Sequence, residues 1–134
     1  MTFFADINYI AVFVSAIVYY FIGFIWYTLL FGKVWAKETG VSMEGQTQPQ
    51  IWPMIGQFIS TLLYTLGVAI FLRFYGTYGI TGGIFISALI TVFFVLPMNS
   101  GNLFFTGKKK LFLLDVCERA LGSLVIGVIL GVWK

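Results

Sequence analysis

The sequence predicts an all-α fold, an integral membrane bundle of four transmembrane helices with the third kinked or broken near Pro97. Three observations carry that prediction. The chain of 134 residues is 60% hydrophobic and only 10% charged, whereas a soluble domain carries about 25% charged residues. Its apolar residues gather into four stretches of membrane-crossing length. Most of its lysines and arginines lie at the ends of those stretches, where they anchor helices at the membrane interface. The predicted helices cover approximately 7–32, 51–73, 81–105 and 110–133, and residues 1–134 form one transmembrane domain with no soluble domain.

The first stretch is charge-free from Ile7 to Gly32. Its dense part, Tyr9 to Phe31, gives roughly 35 Å of helix, against about 30 Å of hydrocarbon. The preceding segment MTFFADIN has no Lys or Arg, the apolar part is long, and no small-residue cleavage site closes it, so a span is expected rather than a cleaved leader. Gly32 to Gln50 is the one connection with soluble character and is too short for a separate domain. The second stretch, Ile51 to Leu72, is introduced by Pro49 and Pro53, near a helix start where a missing N–H costs little, and ends at Arg73.

The third stretch is charge-free from Phe74 to Gly107, too long for one straight span. Glycines at 76, 79, 82 and 83 suggest a turn before a helix beginning near Thr81. Pro97 then falls inside that helix, followed by Asn99-Ser100-Gly101-Asn102, which reads as a kinked or broken turn. The fourth stretch runs from Leu111 to Trp133. Trp26, Tyr27, Trp35, Trp52, Lys108, Lys109, Lys110 and Trp133 are the expected interfacial anchors. Lys33, Lys37 and Lys108 to Lys110 lie on one face, against Arg73 and Lys134 on the other, which predicts both termini outside.

Composition also narrows the chemistry. A net charge of +3, confined to segment ends, does not suggest nucleic acid. One cysteine, Cys117, makes no intramolecular disulfide, and without histidine the usual zinc and haem ligand sets are missing. No metal and no cofactor is expected.

The exception to apolarity is KKKLFLLDVCERALG, Lys108 to Gly122, which places Asp115, Glu118 and Arg119 within the fourth stretch. If Glu118 and Arg119 lay at the interface, the remaining chain to Trp133 would reach only roughly 21 Å, too short to cross. They are therefore expected about one turn inside the hydrocarbon edge. Asp115, Glu118, Arg119 and Gly122 share roughly 100° of one helix face. Asp115 and Arg119 are an i,i+4 pair in the favourable order, which leaves Glu118 as surplus charge. A cation joins the group, or one acid carries a proton. Against this stands a purely structural reading, in which Arg119 snorkels to the headgroups while holding Asp115.

Asn99, Ser100 and Asn102 are expected at comparable depth, with Gln57 approaching from the second helix, so that a polar pocket near the cytoplasmic side is inferred. The bland alternative is that these side chains tie neighbouring helices together. Ser123, Gly127 and Gly131 form a small-xxx-small ladder for a helix–helix interface, and Gly79, Gly83, Ser87 and Thr91 form a similar one.

The segment INYIAVFVSAIVYYFIGFIWYTLLFGKVW, with Asn8, Gly23, Trp26-Tyr27 and Phe31-Gly32-Lys33, and the ending NLFFTGKKKLFLLDVCERALGSLVIGVILGVW resemble the small membrane-protein family catalogued as domain of unknown function 1761. In that family an acidic residue matching Asp115 follows a Leu-rich entry. Thr28-Leu29 stands where the family often has Ser-Pro, and Glu118-Arg119 where an aromatic and a histidine often follow the acid. The resemblance implies a four-helix, mostly bacterial membrane protein, here expected in the inner membrane, with no established activity.

Three functional readings follow. A small transporter or channel-like protein would use Asp115 and Glu118 to take up a proton or small cationic solute, with Arg119, Asn99, Ser100, Asn102 and Gln57 around them. A non-catalytic scaffold or accessory subunit would bind itself or a partner membrane protein through the Ser123-Gly127-Gly131 face. A lipid-acting enzyme would need acid–base chemistry from Asp115 and Glu118, and the sequence offers it no nucleophile–base pair. The lipid bilayer is the expected solvent in each case.

Overall fold

The computed structural model describes residues 5–39, 51–76 and 79–133. Pro49 and Lys134, used above for the second helix start and the charge balance, lie outside the described residues. The described chain is all helical, with no strand.

Helix α1, Tyr9–Ile25, begins at Asn8, whose side-chain oxygen accepts from the Ala11 N–H at 3.1 Å and so satisfies one of the unpaired first-turn donors. It continues as a π-helical turn, Trp26–Leu30. The chain breaks helical geometry at Phe31 (φ −126°, ψ 18°) and resumes as the short helix α2, Gly32–Thr39, inside the first connection. Helix α3, Ile51–Tyr75, carries Pro53 in its first turn, where no intrahelical donor is lost. It stops at Gly76, whose positive φ of 67° suits glycine and whose N–H returns to the Leu72 carbonyl at 3.0 Å.

Helix α4, Gly79–Ile90, starts two residues earlier than the sequence suggested and passes into a second π-helical turn, Thr91–Val95. Two single-turn helices follow, α5, Leu96–Asn99, with Pro97 near its start, and α6, Gly101–Phe104. Gly107, at φ 66°, reverses the chain into helix α7, Lys109–Val132.

Among the described residues three helical runs, Tyr9–Leu30, Ile51–Tyr75 and Gly79–Phe104, are long and apolar enough to cross a membrane. Their 22, 25 and 26 residues correspond to about 33 to 39 Å. Phe13, Phe21, Leu63, Phe85 and Phe93 are all at least half exposed on outward faces. Water would penalise such a surface, and acyl chains solvate it.

Helix α7 packs against α1, α3 and α4, and its contact with α4 is the most extensive in the fold. The reason lies in two small-residue ladders running antiparallel. Gly83 faces Gly127, Gly79 faces Gly131, and Ser87 faces Ser123. The Ser87 hydroxyl lies 2.6 Å from the Ser123 carbonyl and 2.8 Å from the carbonyl of Gly83 on its own helix. Side chains any larger would hold the backbones apart and break that bond. On the other side of α7, Tyr64 of α3 meets the Ser123 hydroxyl at 2.5 Å, and its ring stands edge-on to Tyr19 of α1 at 5.8 Å.

Candidate functional site

The charged stretch of α7 lies against the second half of α1. A four-residue rhythm on α1, Tyr19, Gly23 and Tyr27, meets Gly122, Glu118 and Asp115 on α7 in antiparallel order. At Gly122 a Cβ would come within 2.6 Å of the Tyr19 ring, and at Gly23 a Cβ would come within 3.2 Å of Glu118 Oε1. Each glycine thus makes room for a large side chain on the opposite helix. Tyr27, in the π-helical turn, donates its hydroxyl proton to Asp115 Oδ1 at 2.7 Å. That turn adds one residue to the helical cycle and so re-aims every side chain after it. The Tyr27 ring also stands edge-on to Trp35 of α2 at 6.2 Å, which couples the short helix to the site.

Arg119 reaches back along its own helix to Asp115, N to O 3.7 Å, an ion pair too long to be a hydrogen bond. Its side chain is 39% exposed and that of Asp115 only 15%. Glu118 is the most enclosed of the three, with 5% of its surface exposed. Among the described residues no hydrogen bond and no salt bridge within 4.0 Å reaches its carboxylate. Tyr19, Tyr27 and Tyr64 lie within electrostatic range of both Glu118 and Arg119. The surroundings of the acid are therefore aromatic and phenolic, with one guanidinium near by.

The other predicted site residues are placed differently. Gln57 is on the exposed face of α3, and its carbonyl accepts from the Thr61 hydroxyl. Asn99 is half-buried and donates to the Val95 carbonyl at 2.8 Å. The Ser100 hydroxyl turns back to the Pro97 carbonyl at 2.6 Å. Asn102 is half-buried, and its carbonyl takes the Lys108 N–H at 2.8 Å, which stabilises the turn into α7. Helices α5 and α6 pack on α7, but the side-chain bonds of Asn99 and Ser100 are spent on their own backbone. Tyr19 and Tyr64 were not singled out from the sequence, and Gly23 entered only through the family resemblance. For Tyr19 and Gly23 the signal is the Tyr-x3-Gly-x3-Tyr spacing that ends at Tyr27, readable only beside its antiparallel counterpart on α7, and Tyr64 has no such signal.

Ser123, Gly127 and Gly131 face Ser87, Gly83 and Gly79 of α4, so that this ladder is covered within the chain. Trp26, Tyr27, Trp35 and Lys108 are partly covered, while Trp52, Lys109, Lys110 and Trp133 are exposed.

At the other end of the bundle, Asp6 and Arg73 form an ion pair at 2.5 Å. It borders a cavity of about 270 Å³ lined by residues of the α1 entry, the end of α3 and the end of α7.

Apolar helices of membrane length, packed around a helix that carries enclosed charge, argue for a membrane protein. The chain belongs to the family described as "Protein of unknown function (DUF1761)", whose model matches residues 10–131. No curated protein and no solved structure matches it.

Proposed function

We propose that the protein is a small transporter or channel-like membrane protein whose Asp115–Glu118–Arg119 stretch is a proton- or cation-sensitive site near the cytoplasmic face. One observation carries this reading. Glu118 is enclosed at 5% exposure without a bonding partner among the described residues, while Arg119 is engaged with Asp115. An enclosed charge is costly at this depth unless something neutralises it. Two carboxylates and one guanidinium leave one net negative charge, which suits a proton or a monovalent cation.

In this reading α7 is a fourth span. Its 24 residues extend about 36 Å, enough to cross with Lys109 and Lys110 at the headgroups. The third span bends where the π-helical turn runs into Pro97. The lysine-rich ends face the cytoplasm of a bacterial cell and both termini face outside. The scaffold alternative loses the surface assigned to it, because the Ser123-Gly127-Gly131 ladder is covered by α4.

The test is thermal stability in nanodiscs across pH and a panel of monovalent cations and small cationic solutes, for wild type and Glu118→Gln side by side. A pH or cation dependence that vanishes in the variant supports the site and leads to flux assays in proteoliposomes. Coincident curves under every condition refute it.

A further inference from the structure

The surroundings of Glu118 favour one ligand over the other. The acid is closed in from three directions. Its Oε1 lies so near the backbone of α1 that a Cβ on Gly23 would come within 3.2 Å of it. One turn further along α7 the Tyr19 ring fills the space left by Gly122, and one turn back Tyr27 is bonded to Asp115 at 2.7 Å. With 5% of its surface exposed, Glu118 presents almost no face to a hydrated ion or an organic ammonium. A dehydrated cation fares no better. Hard cations take about six oxygen ligands, and among the described residues no three acidic, histidine or cysteine side chains stand close enough to hold one. The nearby oxygens are committed, the Tyr64 hydroxyl to Ser123 and Asp115 Oδ1 to Tyr27. A proton needs neither space nor a ligand shell.

Which acid takes the proton follows from what each would lose. Protonating Asp115 would exchange the charge-assisted bond from Tyr27 for a weaker neutral one and cancel the 3.7 Å ion pair with Arg119. Protonating Glu118 breaks nothing, because among the described residues no hydrogen bond and no ion pair within 4.0 Å reaches its carboxylate. It also removes an enclosed charge. The remaining groups do not compete. Helices α1 and α3 present the phenols of Tyr19, Tyr27 and Tyr64. Lys33 and Lys37 of α2 are exposed, and Gly79 to Phe104, which includes α4, α5 and α6, carries no titratable side chain.

On the reading of this stretch as a proton- or cation-sensitive site, we infer that its ligand is a proton carried by Glu118, while Tyr27 and Arg119 keep Asp115 ionised. Loading transfers one proton from hydronium to a Glu118 carboxylate oxygen, forming one O–H bond, and unloading returns it to water. The unloaded charge is met by Arg119, whose Nη1 is buried without a hydrogen bond. Tyr27 is a positioning residue that fixes which of the two acids is free to bind.

The experiment is infrared spectroscopy of the full chain in ester-free detergent, where the C=O stretch of a neutral carboxylic acid stands apart from carboxylate and amide bands. Wild type is expected to show an acid band near neutral pH, where carboxyls in water are ionised. The band should fade as pH rises, shift when glutamate alone is 13C-labelled, and ignore Na+, K+ and tetramethylammonium. Labelling needs no variant to fold, and loss of the band in Glu118→Gln separates Glu118 from Glu38 and Glu44. In Tyr27→Phe/Glu118→Gln an aspartate band is expected to enter at a pH about one unit or more above that in Glu118→Gln, the effect of one lost charge-assisted bond. An unmoved aspartate band overturns the role of Tyr27. Absence of the acid band in wild type, its survival in Glu118→Gln, or a shift with labelled aspartate instead overturns the inference. If a cation abolishes the band at constant pH, the sensitive site stands and the proton inference falls. If the band behaves as expected but proteoliposomes show no flux, the proton inference stands and the transporter reading falls.

Discussion

Replacing Gly127 by alanine tests the packing on which the bundle depends. The added methyl would sit 2.6 Å from the Gly83 carbonyl oxygen and overlap the Ser87 hydroxyl. Carbon and carbonyl oxygen meet comfortably at about 3.3 Å, so α4 and α7 must part by roughly 0.7 Å at this point. Overpacking of that kind costs about 1–3 kcal/mol. Moving Ser87 away from the Ser123 carbonyl forfeits about 1 kcal/mol more. Alanine returns about 1 kcal/mol through its helix propensity, which leaves a net loss of about 1–3 kcal/mol. Gly67 provides the control, because a Cβ there meets nothing within 4 Å, and Gly67→Ala should gain about 0.5–1 kcal/mol. SDS-titrated unfolding followed by tryptophan fluorescence measures both. Equal or greater stability for Gly127→Ala would refute the close α4–α7 approach.

Tyr27→Phe removes the 2.7 Å bond to Asp115 and keeps the ring, so a loss of about 1–2 kcal/mol is expected in the same titration. Gly122→Ala brings a methyl within 2.6 Å of the Tyr19 ring. Tyr19→Leu should partly relieve it, and a double-mutant cycle should show a coupling above about 0.5 kcal/mol. Asn8→Ala removes the cap on the Ala11 N–H, with an expected cost of about 1 kcal/mol and faster hydrogen exchange confined to the first turn of α1.

Helix positions were legible because the bilayer imposes a length and the sequence marks the ends chemically, with Asn8, Pro53, Gly76 and the lysines at 108 to 110. The two π-helical turns were not legible. An i→i+5 turn has no residue signature of its own, and both occur beside α7. Helix α2 was hidden in a connection read as soluble, since eight residues give a short pattern little weight. For the candidate site, chain position said little about direction. Gln57 starts from the expected end but faces outward, while Tyr19 and Tyr64 fall at useful depths and face in. Direction depends on how neighbouring helices are rotated, and here that is decided by glycines 23, 122, 83 and 127 meeting larger partners or one another.

The central position of α7 also sets an order in time. A ribosome makes α1, α3 and α4 before α7, so the helix against which α4 packs most extensively arrives after the others have been released. Until then the Gly79 and Gly83 ladder has no counterpart, and Tyr27 and Gly23 face no acid. The late helix is also the least apolar of the long ones, and it docks beside companions able to accept its charges. Closure of the bundle thus waits on one late step, and membrane quality control has a window to act on any chain whose α7 fails to dock.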